Sequence, residues 1–362
     1  MSGFVNFVKR TRDGVRSKIQ DFSTDTEAPS PYPTVMTADS MKTKVVYDGI
    51  VLTSIDVKAS PTDENPQRVT FSDKTNGSTT DKDAVFIHNI KEIAREGEGY
   101  GTLVDFEATV LSPSEAVAMI EAVEDESGKP KKALFCIHGF NTSASYHLAD
   151  CLFAKPKFTK VQLIPVIWPS EGEGSYFKYR EDRSYSSAAG KALQSMKGPL
   201  NSLSCGTSIV CHSMGNRVFR HFSDPEIDFD NIFMVAADVP SDIFNQRFID
   251  GGDEEWRKHG LNIKGMLKDP TEGKIHVIYN ENDVKLIQSS VMNLGSRLGA
   301  VPVNFEKRFM RDVVHEDLKS CIVNVNASID EGEVHERMLY DKRNDHCYHF
   351  HNKTIKYYDD NA

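Results

Sequence analysis

The stretch that most narrows the fold of this chain is Cys211-His212-Ser213-Met214-Gly215. It is entered from the apolar run Ser208-Ile209-Val210 and followed by the helix-like segment 216–222. A strand that ends in a small residue, x, Ser, x, Gly, and then turns into a helix, describes a nucleophile elbow. The turn is so tight that the positions two before and two after the serine must be small, and it pushes the hydroxyl out at the strand's end. Cys211 stands where a glycine is usual, a change that a small side chain absorbs. The pentapeptide also recurs by chance, so its meaning depends on what surrounds it.

The surroundings are regular from residue 133 onward. Runs 133–137, 161–168, 208–211, 231–237 and 274–279 are short and continuously apolar, with helix-length segments between them, and 321–325 reads as a last strand. Continuous apolarity means strands covered on both faces, and alternation with helices means a parallel sheet. Upstream, 44–57, 85–90 and 102–110 are strand candidates. A polar loop is expected from 58 to about 83, with Asn76-Gly77 as a turn. Ser112-Pro113-Ser114-Glu115 opens a helix, with Ser112 as N-cap. The fold class is α/β: a mostly parallel central sheet flanked by helices, with an N-terminal strand-rich extension.

Composition narrows the function. A net charge of -10 argues against a nucleic-acid surface. Six cysteines without a Cys-x-x-Cys pair suit a reducing, intracellular compartment, with the cytoplasm as the expected location. No apolar run reaches the ~20 residues of a membrane-spanning helix. Residues 2–22 place Phe4, Val8, Val15, Ile19 and Phe22 on one helical face with basic residues elsewhere. This pattern suits peripheral membrane contact, organelle targeting or a docked terminal helix. Residues 23–40, rich in Ser, Thr and Pro, read as a linker.

A serine acyl-transfer site needs a nucleophile, a base, an acid to orient the base, and donors for the oxyanion. Ser213 is the candidate nucleophile. Cys136-Ile137-His138-Gly139-Phe140-Asn141 closes the first regular strand and makes the backbone N–H groups of Phe140 and Met214 the candidate oxyanion donors. His138 reads as a loop-organising residue. The acid follows a later strand: Asp283 is favoured, with Asp238 one strand earlier as its competitor, and each would also serve as a helix cap or turn residue. The base comes from 345–351, where His346, His349 and His351 stand together. Their spacing also permits a metal site, although no acidic or cysteine cluster accompanies it. His315 and His335 are weaker bases.

Residues 131–352 resemble the alpha/beta-hydrolase superfamily, and within it the poorly characterised bacterial-type family of unknown function. The matching pieces are Ile137-His138-Gly139-Phe140-Asn141, Ile167-Trp168-Pro169-Ser170, Tyr179 with Asp182, and His212-Ser213-Met214-Gly215-Asn216-Arg217. Ala237-Asp238-Val239-Pro240 with Phe244, Asp283 with Ser289, and His346-x-Tyr348 with Asn352 complete them. The resemblance favours His346 as base and makes Trp168-Pro169-Ser170 a pocket-floor or loop-shaping element, more structural than catalytic. The expected domains are an N-terminal segment and linker, 1–40, and a hydrolase domain, 41–362, of which the resemblance covers 131–352 and leaves the first 110 residues of the chain uncovered. The expected activity is serine ester hydrolysis on a small-molecule ester-like substrate, without metal or organic cofactor. The alternatives are a catalytically inactive hydrolase-fold binding or adaptor protein, and acyl transfer to an acceptor other than water. Residues 241–272 are long enough for a small helical flap over the site.

Overall fold

Strands that run straight through a sheet between two helical layers are largely apolar on both faces, and the central strands of the second half of the chain are. In the computed structural model, β7 (Lys132–Ile137) sends Ala133, Phe135 and Ile137 into one hydrophobic cluster, and Leu134 and Cys136 into a second cluster. In β9 (Thr207–His212), Ile209 and Cys211 join the first cluster and Val210 the second. The structure describes residues 44–72, 83–93, 105–170, 176–222, 227–244, 267–293, 295–303, 305, 319–327, 346 and 348–362. All of these lie in one unit, Thr37–Ile329 with Asn344–Ala362. The segment 2–22, the linker 23–40, the turn Asn76-Gly77, most of the 241–272 flap, His315 and His335 lie outside the described residues.

The strands are β1 (Lys44–Tyr47), β2 (Val51–Thr53), β3 (Lys58–Ala59), β4 (Arg68–Ser72), β5 (Val85–Ile93), β6 (Asp105–Leu111), β7, β8 (Val161–Ile167), β9, β10 (Asn231–Val235), β11 (Lys274–Tyr279) and β12 (Ile322–Asn326). They form one sheet in the order β12-β11-β10-β9-β7-β8-β2-β5-β6-β4-β3, with β1 pairing onto β5. From β12 to β2 every pairing is parallel. From β2 to β3 every pairing is antiparallel. The expected polar loop over 58–83 is corrected here, because it contains β3 and β4. Arg68-Val69-Thr70-Phe71-Ser72 alternates, burying Val69 and Phe71 while its polar residues face outward, and Phe71 stacks on Phe106 at 4.9 Å. A five-residue alternation inside a polar stretch is too short to stand out from loop sequence.

The helices are α1 (Pro113–Glu121), α2 (Ala144–Ala154), α3 (Tyr176–Leu193), α4 (Lys197–Ser202), α5 (Gly215–Phe222), α6 (Val284–Met292) and α7 (Asn352–Asn361). Ser112 caps α1 in a full capping box with Glu115, as its sequence predicts. β7 lies between β8 and β9, so the chain leaves β7 toward one side of the sheet and returns on the other. The carboxyl ends of β7 and β9 are therefore the switch point at which open α/β sheets form their clefts. Sequence reading did not single out α7, yet this helix is clamped to the sheet. The Asp359 carboxylate accepts the backbone N–H groups of Thr159 and Lys160 at 3.0 and 2.8 Å, and Tyr357 bonds His276 at 2.8 Å. That clamp fixes where the chain just before α7, including His346, comes to lie.

Candidate active site

Ser213 sits between β9 and α5 with φ 52°, the left-handed region that a non-glycine residue enters only under strain. Neighbouring contacts hold it there. Its N–H donates to the Val235 carbonyl at 2.9 Å, and its own carbonyl accepts from Asp238 N–H at 3.1 Å. The Asn216 amide bridges the turn, donating to the carbonyls of Cys211 at 2.7 Å and Ser213 at 3.0 Å. Two glycines make room for the elbow. A Cβ on Gly215 would come within 2.6 Å of the His138 carbonyl, and one on Gly139 within 2.8 Å of the Ser213 Cβ. The loop after β7 and the elbow after β9 thus pack backbone against backbone.

His346 brings the remote residues together. Its Nε2 lies 2.8 Å from Ser213 Oγ, and its Nδ1 lies 2.7 Å from Asp283 Oδ2. The carboxylate can only accept, so Nδ1 carries the proton and Nε2 accepts the serine hydroxyl. Asp283 is fully buried, and its other oxygen caps α6 by accepting Leu286 N–H at 2.9 Å. The capping role and the histidine contact therefore belong to one carboxylate. His346 is 13% exposed, enough for a ligand to reach its ring edge.

Asp238, the competing acid, ends β10 but does not meet His346. It accepts the Tyr179 hydroxyl at 2.7 Å and the Ser289 hydroxyl at 2.5 Å. Arg217 and Arg297 flank it, their Nε atoms at 3.6 and 3.4 Å. Tyr179 in turn sets its ring edge against Phe140, centroids 5.4 Å apart, so this hub braces the loop that follows β7.

The histidines divide by role. His138 donates Nδ1–H to the Gly139 carbonyl at 3.0 Å, accepts Trp168 N–H on Nε2 at 3.3 Å, and stacks on the Trp168 ring. The Trp168 indole N–H returns to the His138 carbonyl at 2.8 Å. Burial pushes the His138 imidazole down to about 4, so it is neutral and organises the loop. The expected loop-shaping role of Trp168 is met through this interlock. His349 stacks on His212 at 3.8 Å, and burial lowers it to about 3. His346, His349 and His351 do not gather as a ligand set. The one group of His, Cys or acidic residues near enough for a metal among the described residues is Cys136, His147 and Cys151, buried behind β7.

Two features escaped sequence reading. His212 Nε2 bonds the His346 carbonyl at 3.2 Å, tying the elbow to the chain that carries His346. Asn141, at φ 58°, turns the chain sharply after Phe140. No acceptor among the described residues takes the backbone N–H of Phe140 or of Met214. An asparagine in a turn is a readable signal for left-handed backbone, whereas the His212 link joins residues 134 apart and had no local signal.

Among solved structures, two from Thermogutta terrifontis are similar to this chain. They are the apo form of esterase 2, at 9% identity, and a propionate-bound thermophilic esterase, at 8%. Each alignment covers 85% of this chain and 93% of the other, with a TM-score of 0.31. No curated protein matches the chain. The model of one family, described as "Alpha/beta hydrolase of unknown function (DUF900)", matches residues 114–334. It begins inside α1 and stops short of His346, where the resemblance read from motifs spanned 131–352. Because that match takes in more than half of the chain, the protein belongs to this family of alpha/beta hydrolases of unknown function.

Proposed function

We propose that the protein is a serine hydrolase that cleaves an ester through a Ser213–His346–Asp283 triad and an acyl-enzyme. The observation that carries this reading is the unbroken line of hydrogen bonds, 2.8 Å from Ser213 Oγ to His346 Nε2 and 2.7 Å from His346 Nδ1 to Asp283. His346 takes the serine proton as Oγ attacks the substrate carbonyl, and Asp283 holds the imidazole in the tautomer that leaves Nε2 bare. The backbone N–H groups of Phe140 and Met214 receive the oxyanion, a role supported by their lack of an acceptor among the described residues. His346 then passes its proton to the leaving alkoxide. Water, deprotonated by the same nitrogen, releases the acid and restores the serine. No step in this sequence calls on a metal or organic cofactor.

A cytoplasmic setting is supported by Cys136, Cys151, Cys205 and Cys211, which are unpaired thiols. No helix among the described residues is long and apolar enough to cross a membrane. The basic amphipathic pattern of residues 2–22 supports peripheral contact with a membrane surface.

The test is covalent labelling by a fluorophosphonate probe. The parent chain is expected to label at Ser213, and Ser213→Ala to lose both the label and turnover of p-nitrophenyl acetate while keeping its circular dichroism spectrum. A folded parent chain that takes no label would instead place the protein with inactive, adaptor-type relatives of the fold.

A further inference from the structure

We propose that Arg217 and Arg297, which flank Asp238 beside the elbow, and Arg183, joined to them through Asn293 and Tyr179, form a subsite for an oxyanion group, carboxylate or phosphate, carried by the ester that Ser213 attacks. The proposal rests on the reading of Ser213 as nucleophile and names the substrate class for that site.

The first observation is a surplus of donors. Both Asp238 oxygens are already taken by hydroxyls, Tyr179 at 2.7 Å and Ser289 at 2.5 Å. The guanidiniums beside them are left with long ion pairs, Arg217 Nε at 3.6 Å and Arg297 Nε at 3.4 Å, and neither Nε has a hydrogen-bond partner. These side chains are 7% and 3% exposed. Beyond those ion pairs, Arg217 makes one long contact, Nη2 to the Tyr179 hydroxyl at 3.5 Å. A guanidinium presents five N–H donors in a planar fork. Buried donors without an acceptor are rare in folded proteins, and a water or an anionic ligand commonly meets them.

The second observation is uncompensated charge. The chain as a whole is acidic, at -10, yet here two guanidiniums flank one carboxylate, and a third, Arg183, bonds Asn293, whose amide reaches the Tyr179 hydroxyl. Burial and then the Arg217 charge lower Arg183. Burial, followed by Arg217 and Arg183, pushes Arg220 down to about 10. The two acids on the same stretch of α3 have other partners: Glu181 accepts the Tyr185 hydroxyl, and Asp182 the Ser170 hydroxyl.

The third observation is position. Tyr179 and Arg183 stand one turn apart on α3. Tyr179 touches Phe140, Arg183 Nη1 bonds Asn293 Oδ1 at 3.0 Å, and Asp238 N–H donates to the Ser213 carbonyl. Arg183 is exposed, while Arg217, on the helix that follows the elbow, and Arg297 are buried. A planar fork of this kind suits a carboxylate or phosphate held in two-pronged fashion, which a lone lysine would not provide.

The experiment compares the p-nitrophenyl monoester of adipic acid with its methyl-capped, neutral analogue on the full chain. The acid is expected to be preferred in kcat/KM by about tenfold, the size of one charge-assisted hydrogen bond. Added salt should shrink that preference. Arg183→Gln, an exposed change, should bring the ratio close to one while turnover of the neutral ester holds. A parent ratio near one, or a preference that survives Arg183→Gln, overturns the proposal. Calorimetric titration of the Ser213→Ala chain with monomethyl adipate and with inorganic phosphate separates the subsite from the chemistry. Binding of either anion that weakens about tenfold in the double variant with Arg183→Gln supports the subsite even if no ester is turned over. The tighter of the two identifies the group, and binding of neither overturns the subsite.

Discussion

Two neighbouring strand ends each carry a buried aspartate, and the two carboxylates do different work. At the end of β11, Asp283 gives one oxygen to its own helix and the other to an imidazole. At the end of β10, Asp238 is enclosed by two hydroxyls and two guanidiniums. An imidazole gains and loses a proton near neutrality, whereas a guanidinium does not. The β11 end is therefore suited to move a proton, and the β10 end to hold fixed charge. Similar residues at equivalent turns are separated by what faces them.

The hardest test of this contrast is a pair of variants measured on one neutral activated ester. Asp283→Asn should lower kcat by about 10⁴, because the amide favours the wrong histidine tautomer and leaves the imidazolium unsupported. Asp238→Asn should change kcat by less than about tenfold but cost stability, on the order of 3–5 kcal/mol, since it strands buried guanidiniums without their counter-charge. Rates and urea midpoints measured together decide it. A larger rate loss in Asp238→Asn would reverse the assignment of the two strand ends.

Acid should strike the two ends unequally. Burial holds His138 at about 4 and His349 at about 3, against 6.5 for an ordinary histidine, and lowers His212 as well. With depressed folded values, the unfolded chain binds protons that the folded chain refuses. The stability these groups contribute is thus whole above about pH 6.5 and drains away as pH falls toward 4. By pH 5 His138 and His349 should each cost about 2 kcal/mol. Urea midpoints at pH 7 and pH 5 measure this, and His349→Phe, lacking one of these sites, should lose less between them. Equal losses in parent and variant would mean that His349 is not held neutral.

The smallest effect expected is at His212, whose N–H ties the elbow to the His346 carbonyl. His212→Phe keeps a ring against His349 but loses that donor. It should reduce kcat about tenfold with KM little changed, the worth of one hydrogen bond that aligns the base. His212→Gln, which can still donate, should recover part of the loss. If both variants match the parent, the position of His346 rests on Asp283 and the α7 clamp alone.

Much of this architecture was legible in the residues. The elbow follows from local sterics, because Gly215 must admit the His138 carbonyl and Ser213 must stand in strained backbone. The parallel strands from β7 to β11 follow from burial on both faces, and their largely continuous apolar runs state it directly. Polar β4 did not stand out, because alternation over five residues resembles a loop.

What the sequence determined by itself was the set of parts: a strained serine after a strand, glycines that admit close backbone, and acids and histidines in the order Ser, Asp, His. Only the tertiary structure decided which acid and which histidine come within hydrogen-bond reach of each other and of Ser213. Local patterns act over one turn or one strand, whereas Ser213 and His346 lie 133 residues apart and His346 and Asp283 lie 63 apart. Those pairings depend on where α7 is clamped and on which strand end lies under it, and a hydrogen bond tolerates only a few tenths of an ångström.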